Sequence, residues 1–333
     1  MTRQPLRTAV TLAVVASVSV GALTGCEKAE LKATESLDRS SQASLTESQV
    51  KTVLSSLDDT IAAGDKDHKA DSLKARFEDP ALTMRVAQYD LNGADKDLAV
   101  PQLLTSSESL TVSNSVTWPR VIVDVTKQPE GSTPLILFIR QDDARSPYRL
   151  WQWMHLLPGQ SVPSTAGLST GASIIAPGDG DGLTGAPKTV ADAWAKAVPD
   201  EKAQESAGLE TDEFIENIRG EQKNWKDAIG DTGQIAYTIT PSDTLLAIRD
   251  EDSGALVATS YTYRTDVTIK DGEGGIQMGG DVGAKLGDDG KVTGKAHWTY
   301  VVSALIHIPA SSDKKAKARV IAGEKVLTEA SRD

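Results

Sequence analysis

The 333-residue chain has little cysteine, few aromatic residues and a shortage of positive charge. With Cys26 as its one cysteine, it can build neither an internal disulfide framework nor a cysteine-based zinc site. Basic residues number 35 against 47 acidic ones, a net charge of -12. That balance opposes attraction to phosphate backbones and to anionic bilayers, so nucleic acid is not an expected partner. The four histidines, His68, His155, His297 and His307, show no H-E-x-x-H spacing. No metal and no cofactor is expected. The apolar stretch from Thr8 to Gly25 is diluted by Thr11, Ser17, Ser19 and Gly21, and it falls short of the roughly 20 strongly apolar residues that a membrane helix needs. The chain is nevertheless 39% hydrophobic and 25% charged, which suits a folded protein with room for two cores at roughly 150 residues each.

The N-terminus has a distinct layout. Arg3 and Arg7 precede an Ala- and Val-rich run, the charged and apolar regions of an export signal. Leu23, Thr24 and Gly25 then lead into Cys26. This Leu-Thr-Gly-Cys string resembles the bacterial lipobox, and the resemblance implies thioether lipidation of Cys26, cleavage before it and an added acyl chain such as palmitate. Each buried methylene contributes roughly 0.8 kcal/mol, so two or three chains hold a soluble body at a bilayer. Removing residues 1–25 takes away two arginines and no acid, leaving the mature body more acidic still. The expected location is the outer face of the cytoplasmic membrane of a Gram-positive bacterium, with residues 26–45 as a flexible tether.

From Thr46 the pattern becomes periodic. Val50, Val53, Leu54, Leu57 and Ile61 fall on one helix face, and Thr46 with Gln49 forms a capping box. A second helix is expected around His68–Phe77. Residues Ala81–Leu91 fit a helix and a strand about equally. Beyond Pro101 the period drops to two, with strands expected at Ser109–Thr117, Arg120–Thr126, Pro134–Gln141 and Tyr148–Leu157, antiparallel because their connections are short. Residues 158–187 are rich in Gly, Pro and Ser and read as a linker, with Ile174 and Ile175 docking on a core. The order then repeats. Helices are expected around Val190–Val198 and from Thr211 to Ile229, followed by strands at Gln234–Thr240, Thr244–Arg249, Ala255–Lys270, Lys291–Ile308 and Ala318–Leu327. Asp288, Asp289 and Gly290 supply a hairpin-turn signal.

The expected fold is therefore α+β, with two similar domains, 46–157 and 188–333, each of two or three helices packed on a curved antiparallel sheet. Their element order is similar to the nuclear-transport-factor-like cone. The stretch Gln141-Asp142-Asp143-Ala144-Arg145-Ser146-Pro147-Tyr148-Arg149-Leu150-Trp151, together with the lipobox and the two-part layout, resembles a group of uncharacterised actinobacterial envelope lipoproteins. That resemblance implies location and architecture and carries no activity.

Motifs of catalysis fail on context. Gly167-Leu168-Ser169-Thr170-Gly171 matches G-x-S-x-G but lies in the linker, without the strand-to-helix turn that exposes a nucleophile. Gly180-Asp181-Gly182-Leu183-Thr184-Gly185 matches a dinucleotide fingerprint, yet Asp179 and Asp181 would repel a pyrophosphate. The segment richest in chemistry is Asp142, Asp143, Arg145, Tyr148, Trp151, Trp153 and His155, read either as a ligand pocket on the concave face of the first sheet or as a charged turn followed by a core strand. The resulting expectation is a non-catalytic binding or interaction module at the cell envelope, with an envelope protein or cell-wall component as partner. The alternative is an enzyme using Asp142, Asp143 or His155 as acid or base in the cavity of the first domain. Oligomeric state is not legible.

Overall fold

A computed structural model describes residues 42–114, 118–287 and 289–333. Cys26 with its lipobox residues Leu23, Thr24 and Gly25, and also Asp288, lie outside the described residues. The described residues form one compact unit. Among them it is mixed α+β, with seven α-helices and a nine-stranded antiparallel sheet.

The first half opens with α1 (Glu47–Asp67), whose Thr46 side chain and Gln49 complete the expected capping box. The helix runs past Gly64 and closes at His68 in the left-handed region with φ 49°. Gly64 is needed for packing: a Cβ there would meet Leu73 Cδ2 at 2.3 Å and the Tyr89 hydroxyl at 2.8 Å. The expected second helix shrinks to α2 (Ala70–Leu73), and the ambiguous segment is α3 (Ala81–Ala94). Four strands follow: β1 (Ser107–Val112), β2 (Arg120–Thr126), β3 (Leu135–Gln141) and β4 (Arg149–Leu156).

The second half has α4 (Pro187–Ala197), α5 (Glu201–Ser206) and α6 (Glu213–Ile229), the last capped by the Asp212 carboxylate accepting from Ile215 N. Its long strands are β6 (Gly233–Arg249), β7 (Ala255–Ile269), β10 (Lys295–Ile308) and β11 (Arg319–Arg332). The two strands expected over 234–249 are one. Pro241 is paired with Tyr261 of β7 at the point where the register shifts, and β5 reaches β6 only at Ala247 and Ile248, so this stretch of β6 is an open edge, where a proline is tolerated. Conversely, the expected strand from Lys291 is interrupted. β8 (Ile276–Gln277), α7 (Gly280–Leu286) and β9 (Lys291–Val292) form a small excursion before β10, so the hairpin expected at Asp289–Gly290 is replaced by a longer β8–α7–β9 connection.

The sheet order is β1-β2-β3-β4-β11-β10-β7-β6-β5, where β5 is Ile174–Ile175. The two halves thus meet through their last strands, with His155 opposite Gly323 and Leu156 opposite Ala322. Gly323 has no Cβ for a reason: the Phe214 ring of α6 would lie 2.7–2.8 Å from one.

One hydrophobic cluster joins α1–α3 to β1–β4, and another joins α4 and α6 to the strands of the second half. A third is shared, with Val121, Ile136, Phe138 and Trp151 from the first half against Leu246, Leu256 and Leu305 from the second. Ala172 belongs to it, and Val162, Ala166 and Ile174 pack at its margin, so the stretch read as a linker closes a core. Its backbone is pinned as well. Ala172 N donates to Val112 O, Asn114 N donates to Ala172 O, and Arg249 N donates to Ser173 O. Gly171, at φ +72°, makes the tight passage, where a Cβ would sit 3.0 Å from Val112 O.

Candidate functional site at the meeting of the two halves

The β2 sequence Val121-Ile122-Val123-Asp124-Val125 places a carboxylate in the middle of a β-branched strand. Alternation turns Asp124 toward the cluster under the first three helices, between Leu110 of β1 and Leu137 of β3. It is 0% exposed, and neither carboxylate oxygen makes a hydrogen bond. Burial therefore pushes its pKa up to about 7. The nearby Ser107 hydroxyl offsets part of that shift, and the Asp58 carboxylate on α1 adds to it. Asp58 accepts from the Thr105 hydroxyl and is itself raised, chiefly by burial.

One step along the same face, Thr126, Leu135 and His155 form the next row across β2, β3 and β4, with Leu135 N donating to Thr126 Oγ1 at 2.9 Å. These three residues line a cavity of about 220 Å³, with Pro101, Gln102 and Leu104 of the α3–β1 connection opposite them. His155 Nδ1 lies 2.6 Å from Glu324 Oε2 on β11, a contact made across the join between the halves. On the far side of Pro101 a second cavity of about 330 Å³ opens between α3, α7 and β11, and Glu324 lines it. The two cavities share Pro101, and the His155–Glu324 pair connects their walls.

The other residues of the sequence-based pocket do not join this site. Asp142, Asp143 and Arg145 are exposed at the β3–β4 turn. Asp143 staples that turn, accepting from Arg145 N at 2.7 Å, Ser146 N at 3.0 Å and Ser146 Oγ at 2.6 Å, and these bonds hold its carboxyl below the usual range. Asp142 lies 3.3 Å from Arg140, which also pairs with Glu78 at 2.5 Å. Tyr148, Trp151 and Trp153 are buried in the core. The tryptophans, two residues apart, would share a face in a regular strand. A register shift pairs Ile139 with Leu150 and Phe138 with Gln152, leaving Trp151 unpaired, so Trp151 enters the shared cluster while Trp153 enters the first-half cluster. His155 is the one predicted residue at the cavity, and Asp124 is the residue that sequence reading missed. Its signal was present: an acid where the alternation of β2 demands an apolar side chain.

Among the described residues, no group of three or more His, Cys, Asp or Glu could hold a metal ion, and no helix is long and apolar enough to cross a membrane. No protein-family model, no curated protein and no solved structure matches this chain.

Proposed function

We propose that this chain is the exported body of an envelope lipoprotein, anchored through Cys26 to the outer face of the cytoplasmic membrane, and that it binds a ligand or a segment of an envelope partner where its two halves meet. The observation that carries the reading is the pair of adjoining cavities sharing Pro101, connected by the His155–Glu324 contact. Ligand sites favour such junctions between structural units, with a few convergent polar groups on an apolar wall. The architecture belongs to the same proposal. Each half is a helix-on-sheet lobe of a duplicated, cone-like unit, of the kind expected for the uncharacterised actinobacterial envelope lipoproteins. The sheet order supports it, since β1-β2-β3-β4 of one half meets the reversed β11-β10-β7-β6 of the other.

A photo-cross-linking residue at exposed Gln102, on the cavity rim, tests the reading in intact cells against one at exposed Lys223 on α6. Capture of a discrete species at position 102 and not at 223 is the expected result. Identical products from both positions, or none from 102, would overturn it.

A second reading, acid–base catalysis, rests on Asp124 and not on the residues first suspected of it. A carboxyl poised near neutral pH one row from His155 has the character of a general acid. That reading requires Asp124 to be reached by a molecule in the cavity. A ligand-induced change in the carboxyl resonance of Asp124, followed in carbon-labelled protein, separates it from simple binding.

A further inference from the structure

The cavity of about 220 Å³ carries no carboxylate, lysine or arginine among the described residues that line it, and His155 is its one titratable group. Any charge that His155 gains on protonation is met by Glu324 at 2.6 Å. Pro101 and Leu104 on the α3–β1 connection, Pro129 on the β2–β3 turn and Leu135 of β3 supply an apolar wall. An ionic ligand would lose hydration here without gaining a free counter-charge, so the cavity favours a neutral one.

The contact with Glu324 also fixes the imidazole. A carboxylate only accepts, so the proton of neutral His155 sits on Nδ1 and Nε2 keeps its lone pair. Nε2 has no partner among the described residues, which makes it a free acceptor on a residue of the cavity wall. Thr126, 1% exposed, is the complementary group. Its Oγ1 accepts from Leu135 N at 2.9 Å, while its hydroxyl proton meets no acceptor among the described residues and is left as a donor. Thr126 on β2 and His155 on β4 stand two strands apart in one row, and at roughly 4.8 Å per strand their backbones are about 10 Å apart. Acceptor and donor thus belong to opposite walls.

The geometry points to this cavity as a site for a neutral phenol with a hydrogen-bond acceptor at its para position. The phenolic O–H donates to His155 Nε2, the ring lies against Pro101, Leu104 and Leu135, and the para acceptor takes the Thr126 proton. An apolar cavity of roughly 150 Å³ takes up benzene, so about 220 Å³ suits one substituted ring, and it falls below the roughly 300–1,000 Å³ of larger small-molecule sites. A flexible alcohol of the same length is a poorer match, because it loses internal rotations on binding that a rigid ring does not have. The inference rests on the proposed binding role of the junction and specifies the chemistry of one of its two cavities.

Calorimetric titration of the full chain at pH 7 with 4-hydroxyacetophenone, acetophenone and 4-hydroxybenzoate tests it. The expected result is saturable binding of 4-hydroxyacetophenone at least fivefold tighter than that of acetophenone, which lacks the donor, or of 4-hydroxybenzoate, which is an anion. His155→Phe keeps an aromatic ring and loses the acceptor; it should weaken 4-hydroxyacetophenone at least fivefold and erase its advantage over acetophenone. Leu104→Trp, which fills the cavity, should abolish binding. Nitrogen NMR of the histidine rings should show His155 protonated on Nδ1, with its Nε2 resonance moving when 4-hydroxyacetophenone is added. Melting curves identify any variant that fails to fold, and if His155→Phe does so, Leu104→Trp and the acetophenone comparison decide. Equal affinity for 4-hydroxyacetophenone and acetophenone, no binding at millimolar concentration, unchanged affinity in folded Leu104→Trp, or neutral His155 protonated on Nε2 would overturn the proposal. If 4-hydroxyacetophenone fails while position 102 still captures a discrete species in cells, only the phenol assignment falls. If both fail, the junction is not a binding site.

Discussion

Replacing Asp124 by Asn turns the buried carboxyl into a measurable pH dependence. Fully protonated, the aspartic acid and the amide are close in size and both neutral, so the two proteins should be about equally stable near pH 3, below both pKa values. Above that the unfolded chain ionises Asp124 at its usual 3.8, while the folded chain keeps the proton up to about 7. The unfolded state therefore binds fewer protons across this window, and wild-type stability falls as the pH rises through it. Above about pH 7 both states are ionised and the loss stays constant. At 1.36 kcal/mol per unit, a shift of roughly three units gives a cumulative loss of about 4 kcal/mol, an upper figure because water can reach a partly opened core. Asp124→Asn escapes it. The variant should match wild type at pH 3 and exceed it by up to about 4 kcal/mol at pH 8. Urea unfolding between these pH values, followed by the fluorescence of the six tryptophans, measures the difference, in which titrating groups other than the coupled Asp58 cancel. A difference that stays flat with pH, or a variant less stable than wild type at pH 8, would refute the claim that Asp124 is buried without a cationic partner.

Three further outcomes follow from other contacts. Arg85, 1% exposed, ties α3 to Asp65 at 2.6 Å and to the Pro101 carbonyl at 2.7 Å, and donates to Gln88 one turn along the same helix; Arg85→Ala should cost about 3 kcal/mol in urea unfolding, since Asp65 keeps partial access to water. Gly323→Ala forces a methyl against the Phe214 ring and should destabilise by about 1–3 kcal/mol, with Phe214→Leu in the same background restoring part of that loss in a double-mutant cycle. Cys26→Ser should release the protein from the membrane fraction and remove the lipid mass from its N-terminal peptide. A variant that stays membrane-bound would show that something other than an acyl chain holds this acidic body.

Local signals carried much of the fold. The capping box at Thr46, the apolar stripe from Val50 to Ile61 and the strand expected at Ala255–Lys270 each depend on neighbours within a few residues, and each forms as read, the last to within a residue. The misreadings share a non-local cause. The strands expected at Gln234–Thr240 and Thr244–Arg249 are one because the gap between them, around Pro241, lies on an edge stretch that β7 pairs from one side only. Trp151 and Trp153 looked like two walls of one pocket because a bulge, one extra residue opposite Phe138 and Ile139, leaves no trace in composition. The segment 158–187 looked like a linker because Gly, Pro and Ser serve equally well in a flexible chain and in a strap bent tightly over a core.

The sequence by itself determined most of the element types, the α+β class, the acidic character and the Leu-Thr-Gly-Cys string at Cys26, because periodicity, charge and short motifs are written along the chain. Only the tertiary structure decided which side chains meet. His155 and Glu324 are 169 positions apart, and Pro101, Asp281 and Glu324 reach the same junction from three separate elements. Strand order, which depends on how whole sheets pair and not on any local preference, placed the last strands of the two halves side by side and so brought the candidate site together.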